Sequence, residues 1–404
     1  MTTPMLLEDA QARLLALVEP LEMEHVDVSD ALGRYLAEPL LALRNQPAAD
    51  ISAMDGYAVS AGDMAGPWQI IGESAAGHPF SGNVKAGEAV RISTGALLPS
   101  GSKAVIVQED VARDRDHLVM TGKAPRPEDR HVRPRGMDFV EGASVLSAGT
   151  LIGPAQAALA ISAGHKHLPV RRRPRLAMID SGDELSPVSE PCAPHRIPAS
   201  NGAMLAALAR CMPIDAKQNG PVPDDLDALV SAFDAAVDVD VIVTSGGASV
   251  GDHDLLRPAL EAWGAKIEFW RVAIKPGKPL LIASRDHGPR KQLVIGLPGN
   301  PVSSLVTAYL FMLPVLRALL GASQPLPRAI TTRLAEPLEP CGARREFLRG
   351  IWDGEAVRPL TLQDSGALSS LAASNVLIDR PAYAPELAAG ESVRVFLLQN
   401  GGYA

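Results

Sequence analysis

Residues 273–279 read AIKPGKP, and residues 293–305 read LVIGLPGNPVSSL. In the second stretch an apolar run stops at a loop of Pro, Gly and Asn, and a Ser-containing helical pattern follows. That is the grammar of a strand entering a helix in a parallel α/β sheet. Ligands of such sheets bind at the carboxyl ends of the strands. Lys275 and Lys278, set in a Pro/Gly frame beside this turn, mark a candidate anion site. An ammonium pairs with phosphate or another oxyanion, and Pro276 and Pro279 reduce the entropy lost on ordering the loop. Pro298 and Pro301 fix the turn around Asn300, which is either an ordinary turn residue or a hydrogen-bonder to a ligand. Ser303 is placed to cap the helix that follows.

Working outward, the same alternation runs from 176 to about 325. LAMID (176–180), VDVIVTS (239–245) and QLVIGLP (292–298) read as buried strands. NGAMLAALARCM (201–212), DDLDALVSAFDAAV (224–237) and PVSSLVTAYLFMLPVLRALL (301–320) read as helices, giving βαβ units on a parallel sheet. Upstream, residues 5–20 and 29–43 carry helix-like apolar spacing, with Ser29 as cap of the second segment. From 47 to 140, short apolar stretches such as VRISTGALLP (90–99) and AVIVQED (104–110) alternate with Gly turns, which predicts a small, mostly β domain. AQAALAISA (155–163) is helical again, and RRRPR (171–175) reads as a solvated linker without chemistry. After GASQPLPRA (321–329) the chain returns to short strands such as ESVRVFLLQ (391–399), a second small β domain.

A chain of 404 residues exceeds one ordinary core, so two to four domains are expected. Its net charge of −8 argues against nucleic acid or an anionic membrane surface as partner, although a local basic cluster still allows an anionic small molecule. No uninterrupted apolar run reaches the ~18 residues of a membrane span. MTTPMLLEDAQ at the start lacks the pattern of a secretory signal. Cys192, Cys211 and Cys341 are far apart and form no CxxC, which argues against a disulfide framework or zinc site and fits a reducing cytoplasm.

Two further strand ends carry chemistry. DSGDEL (180–185) places Asp183 and Glu184 after a buried strand, either as acidic residues near a helix dipole or as site carboxylates. In TSGGASVGDHD (244–254), Ser245, Gly246, Gly247, Ser249 and Gly251 allow close backbone approach and offer N–H groups to an anion. Asp252 and Asp254 just beyond are suited to Mg²⁺, with His253 a bystander. The loop is neither GxGxxG nor GxxxxGK[ST], so dinucleotide and P-loop readings lack their fingerprints. In the upstream β region, Asp55-Gly56 reads as a turn and Thr94 ends a strand where its hydroxyl can face a ligand.

MDGYAV, ISTGALLP, RPRGMDF, SGDEL, TSGGASVGDHD, AIKPGKP and LPGNPVSS stand in the order seen in molybdopterin molybdenumtransferases, and the chain is similar to the E domain of gephyrin. The resemblance implies a central α/β, molybdopterin-binding-like domain at 176–325 and an elongated α+β domain at 1–46 plus 141–175. Two small β domains, at 47–140 and 326–404, complete it. It implies insertion of molybdenum from molybdate into adenylylated molybdopterin with Mg²⁺-dependent release of AMP, in a homodimer whose cleft is shared between subunits. Handover of product to molybdoenzymes follows. Carried over by position, Asp55, Asp183, Glu184, Lys275 and Lys278 are catalytic, and Glu184, Asp252 and Asp254 hold the metal. Thr94, Ser245, Gly246, Gly247, Ser249, Gly251, Pro298, Asn300 and Pro301 bind substrate, and Asp138 matches a further acidic position beside Arg133 and Arg135. The sequence departs from the pattern at Asp180-Ser181, where Ser-Thr is commoner, at Ala248 and His253, and at Arg271, where some members have Lys. Adenylyl transfer to molybdopterin, or a non-catalytic pterin scaffold, are the alternative functions. Ser365 and Ser369 are candidates for a contact across the dimer.

Overall fold

A computed structural model describes residues 4–187, 192–247, 255–288 and 290–398. Its centre is a six-stranded sheet built from β1 (Arg175–Ser181), β2 (Asp215–Val222), β3 (Val241–Ser245), β4 (Lys266–Trp270), β5 (Leu281–His287) and β6 (Arg290–Leu297), in the order β2-β1-β3-β6-β5-β4. β2, β1, β3 and β6 pair in parallel. β2, β4 and β5 have no counterpart among the strands read in the sequence; β5 pairs antiparallel with β6 from His287 opposite Arg290 to Leu281 opposite Gly296. Only two residues separate these strands, too few for the crossover a parallel pair requires.

β1, β3 and the second part of β6 are apolar and buried because both faces are covered there. Leu176, Met178, Val241, Val243, Leu293 and Ile295 face one core, whereas Ala177, Ile179, Ile242 and Val294 face the other. The first core takes helix α1 (Asn201–Ala209) and the second takes α2 (Leu226–Asp234) and α3 (Leu256–Ala262). Asp225 caps α2, its carboxylate accepting the Ala228 N–H at 2.9 Å. A fourth helix, α4 (Pro301–Leu319), is long and apolar enough to cross a membrane, yet 89% of its apolar window is buried in the protein. A helix apolar on all sides belongs in the middle of a core. Pro314 has no N–H to donate within α4, and the carbonyl of Leu310 instead accepts from the buried Gln11 side chain at 2.9 Å. Helix Leu7–Leu15 is thereby tied to the central core, where Leu7, Ala10 and Leu14 pack.

Two other six-stranded sheets flank this unit. One is formed upstream by strands between Gly56 and Met120 around Tyr57, Trp68 and Leu118. The other, near the C-terminus, closes on itself because strand Arg345–Trp352 pairs with both Ala356–Pro359 and Val376–Arg380. It docks on α4: Tyr309 donates to the carbonyl of Leu397 at 2.9 Å and its ring meets Phe396 edge-on. Ile274–Lys275, from the AIKPGKP segment, leaves the central sheet to pair in parallel with Arg345–Glu346 of the closed sheet.

Two expectations fail here. Residues 29–43 do not form a helix. A 3-10 turn at Val28–Ala31 contains Ser29, Gly33 then takes φ +75°, and Leu40–Leu41 pairs with Ser144–Leu146. Gly33 and Pro39 break the helix despite the apolar spacing. The RRRPR run is not a solvated linker either. Arg172 holds Asp240 through both Nη atoms at 2.8 and 2.5 Å and Glu22 at 2.8 Å, while Arg171 donates to the Leu21 carbonyl at 3.0 Å. Asp240 is largely buried, and a buried carboxylate needs such a partner.

Candidate active site

At the carboxyl edge of the sheet, Asp180, Ser245 and Leu297 stand side by side, Asp180 opposite Ser245 and Ser245 opposite Leu297. The loops that leave this row wall a cavity of about 690 Å³, within the size range of small-molecule sites. Asp180, Ser181 and Glu184 form one wall, Ser245 to Gly247 the next, and Pro298 to Pro301 the third. The segment Ile197–Asn201 before α1, together with Pro279, Gly366 and Leu368, completes it. The walls lie close because Gly246 takes φ +103° and a Cβ there would stand 2.1 Å from the Ser181 carbonyl oxygen.

Asn201 fastens three walls. Its Nδ2 donates to Ser245 Oγ at 2.8 Å and to the Gly299 carbonyl at 2.6 Å. Asn300 is the residue preceding α4, so Ser303 lies inside the helix and is not its cap, contrary to expectation; Pro301 at the first helical position sets the boundary. The Asn300 side chain reaches the C-terminal region, donating to Ser365 Oγ at 3.0 Å, and the Val302 N–H of α4 donates to the Ser365 carbonyl at 3.1 Å. Both bonds to Ser365 lie within its own chain. The loop that carries it is gripped by the buried Arg349, which donates to the carbonyls of Leu362 and Asp364 at 2.8 and 3.0 Å and to Ser370 Oγ at 3.1 Å.

The two acidic residues of DSGDEL part company. Glu184 lines the cavity. Asp183 turns to the loop after β2, where its Oδ1 accepts the Asp224 N–H at 3.1 Å. Asp224 in return accepts the Asp183 N–H at 3.4 Å and the Ser181 hydroxyl at 3.2 Å. Nothing local in the sequence singled out Asp224. Asp180, which stands out in the sequence only as a departure from the family pattern, is a buried cavity residue; burial pushes its carboxyl upward, opposed by the hydrogen bond from the Gly202 N–H.

Neither lysine of AIKPGKP is among the lining residues. Lys275 pairs with Glu346 at 3.1 Å, while Lys278 is exposed and contributes its carbonyl to the N–H groups of Val272 and Leu280. Arg271, in a left-handed conformation at φ +70°, stacks on Trp270 with 4.2 Å to the ring centroid. Ser249, Gly251, Asp252 and Asp254 lie outside the described residues, and among those that are described no group of three His, Cys, Asp or Glu side chains is poised to hold a metal.

Asp55 and Thr94 meet each other on the upstream sheet rather than at the cavity. Asp55 Oδ1 accepts the Thr94 N–H at 2.7 Å and the Thr94 hydroxyl at 3.1 Å, which holds the carboxyl below its ordinary range. Ile51–Ser52 pairs with Val132–Arg133, and the Gly95 N–H donates to the Ser52 carbonyl at 2.8 Å. The MDG, STG and RPRG segments therefore share one region of the surface.

The family models described as MoeA N-terminal region (domain I and II), probable molybdopterin binding domain, and MoeA C-terminal region (domain IV) match residues 5–164, 177–318 and 331–398. A molybdopterin molybdenumtransferase of Haemophilus influenzae is 32% identical over 96% of this chain and 97% of its own. The chain belongs to the molybdopterin molybdenumtransferase family. A Nostoc member is 34% identical over 93% of this chain and 89% of its own. The crystal structure of a molybdopterin biosynthesis MoeA protein from Pyrococcus horikoshii superposes with a TM-score of 0.81 at 30% identity, covering 98% of this chain and 100% of that one. The probable molybdopterin binding domain of the family spans the cavity walls on β1, β3 and β6, and the C-terminal region supplies Ser365, Gly366 and Leu368.

Proposed function

We propose that this protein inserts molybdenum from molybdate into adenylylated molybdopterin and releases AMP, the last step of molybdenum cofactor synthesis. The observation that carries the reading is the convergence, on one cavity of about 690 Å³, of three strand-end loops and the N-termini of α1 and α4. Helix N-termini and Gly-loop amides favour anions, and the substrate brings a phosphoanhydride and an oxyanion. Hydrolysing such a linkage needs preorganised positive charge rather than a covalent nucleophile.

In this reading Ser245, Gly246, Gly247, Ser249 and Gly251, with Pro298, Asn300 and Pro301, cradle the substrate. Lys275 and Lys278 neutralise phosphate or molybdate, Lys275 exchanging Glu346 for the incoming anion. The donor set near Glu184 is all oxygen, which suits Mg²⁺, and Glu184 with Asp252 and Asp254 would hold it. Bound there, the metal would neutralise charge on the phosphoanhydride. Asp183 then acts by fixing the Glu184 loop to Asp224. Asp55 and Thr94 reach the cavity from a second subunit of a homodimer, since they share a surface separate from the cavity of their own chain. Cytoplasmic location, with product passed on to molybdoenzymes, completes the reading.

The test is AMP release from adenylylated molybdopterin by the purified chain with Mg²⁺, in the presence and absence of molybdate. Molybdate-dependent release supports insertion. Substrate binding without AMP under any oxyanion supports a scaffold, and formation of adenylylated molybdopterin from ATP and molybdopterin supports the adenylyl-transfer alternative.

A further inference from the structure

Asp180 is a buried carboxyl that the described protein leaves largely unpartnered. It stands in the row with Ser245, is 5% exposed and lines the cavity. Its Oδ2 accepts the Gly202 N–H at 3.0 Å in the first turn of α1. Among the described residues, Oδ1 has no hydrogen-bond partner and the carboxylate no ion pair. The helix is shaped around this group. A Cβ at position 202 would lie 2.4 Å from Asp180 Oδ2 and 2.6 Å from Gln218 Nε2, so a residue that weakens helices is required there. A carboxylate withdrawn from water calls for donors or positive charge, and the open side of Asp180 is the cavity.

We propose that Asp180 reads the pterin: its carboxylate accepts the ring N–H and the exocyclic amino group along the 2-amino-4-oxopyrimidine edge. This rests on the reading of adenylylated molybdopterin as substrate. That substrate offers two heterocycles, and their edges differ. The pterin edge presents two donors side by side, whereas adenine presents an amino donor next to a ring nitrogen whose lone pair would face the acid. An ionised carboxylate only accepts, and each oxygen has two lone pairs, so Oδ2 keeps one after bonding Gly202. The Gly202 N–H at the start of α1 favours the ionised form.

The experiment titrates 6-hydroxymethylpterin and AMP separately onto the full chain, wild type and Asp180→Asn, followed by pterin fluorescence and calorimetry. Asparagine keeps the size and an acceptor for Gly202 but sets an amino group against a pterin donor. The pterin Kd is expected to rise about 10- to 100-fold, the size of losing one or two hydrogen bonds to a charged group, with the AMP Kd unchanged. Loss of AMP binding with the pterin unaffected would place the purine at Asp180 and overturn the assignment, as would no change in either. Recovery of pterin binding by added Mg²⁺ would make Asp180 a metal ligand, which also overturns it. Circular dichroism checks folding, and Asp180→Ser supplies the comparison if the Asn variant unfolds. If wild type binds the simple pterin through Asp180 but not adenylylated molybdopterin, the functional reading fails while the assignment stands.

Discussion

Gly246→Ala is the substitution whose consequence the geometry fixes most tightly. The new Cβ would stand 2.1 Å from the Ser181 carbonyl oxygen, and Cβ contacts below 3.0 Å are essentially never tolerated, so backbone must move by about 0.9 Å. The movement falls between the wall led by Ser181 and the wall led by Ser245, the second of which Asn201 ties to Gly299. A displacement of about 1 Å in a reactive framework costs roughly 100-fold in rate. The φ of +103° adds strain of about 1–2 kcal/mol, a few degrees in Tm. Gly264→Ala separates the two effects. It has φ +83° at the end of α3 away from the cavity, and nothing lies within 4 Å of its Cβ. Molybdate-dependent AMP release and thermal melting are measured on both. Both variants should melt lower, but only Gly246→Ala should lose about 100-fold in kcat. A Gly246→Ala enzyme within two-fold of wild type would refute the close-packed cavity walls.

Other outcomes follow from the same structure. Glu346→Gln should leave melting nearly unchanged, because the pair's cation is exposed to solvent and such ion pairs contribute under ~1 kcal/mol; by freeing Lys275 it should lower the KM for substrate a few-fold in steady-state assays. Asp240→Ala removes the carboxylate that holds Arg172 and accepts the Arg175 N–H, and should lower stability by about 2–4 kcal/mol in urea titrations while sparing kcat. With its pKa raised by burial, Asp180 binds its proton more tightly in the folded than in the unfolded chain. Its protonated form therefore favours folding in acid, and that contribution is lost as pH rises through the raised pKa. The urea midpoint of Asp180→Asn, followed from pH 4 upward, should fall less than that of wild type. Asp55 has the opposite sign: its lowered pKa gives a contribution present above about pH 4 and lost as pH falls through the folded value, which Asp55→Asn should remove.

β1, β3 and β6 were legible because their buried runs are apolar on both faces, and they brought their terminal loops to one edge; β2, with the polar run DAKQNGPV, carries no such mark. What stayed hidden depended on distant partners. Arg172 reads as part of a solvated basic run until Asp240, 68 residues away, and Glu22, 150 residues away, are seen beside it. Lys275 reads as a free cation until Glu346 meets it across 71 residues. The helix expected at 29–43 failed for a local reason, since Gly33 and Pro39 outweigh apolar spacing. Asp180 and Asp224 escaped notice as site residues because their roles are set by Gly202, Ser181 and Asp183 once folded. Neither carboxylate carries a local sequence mark.

The most direct measurement is the molybdenum content of the pterin released in a single turnover, by mass spectrometry, against the AMP formed. One molybdenum per AMP is expected with molybdate present, and no molybdenum-loaded pterin without it. AMP released with no molybdenum on the pterin, at saturating molybdate and Mg²⁺, would contradict insertion.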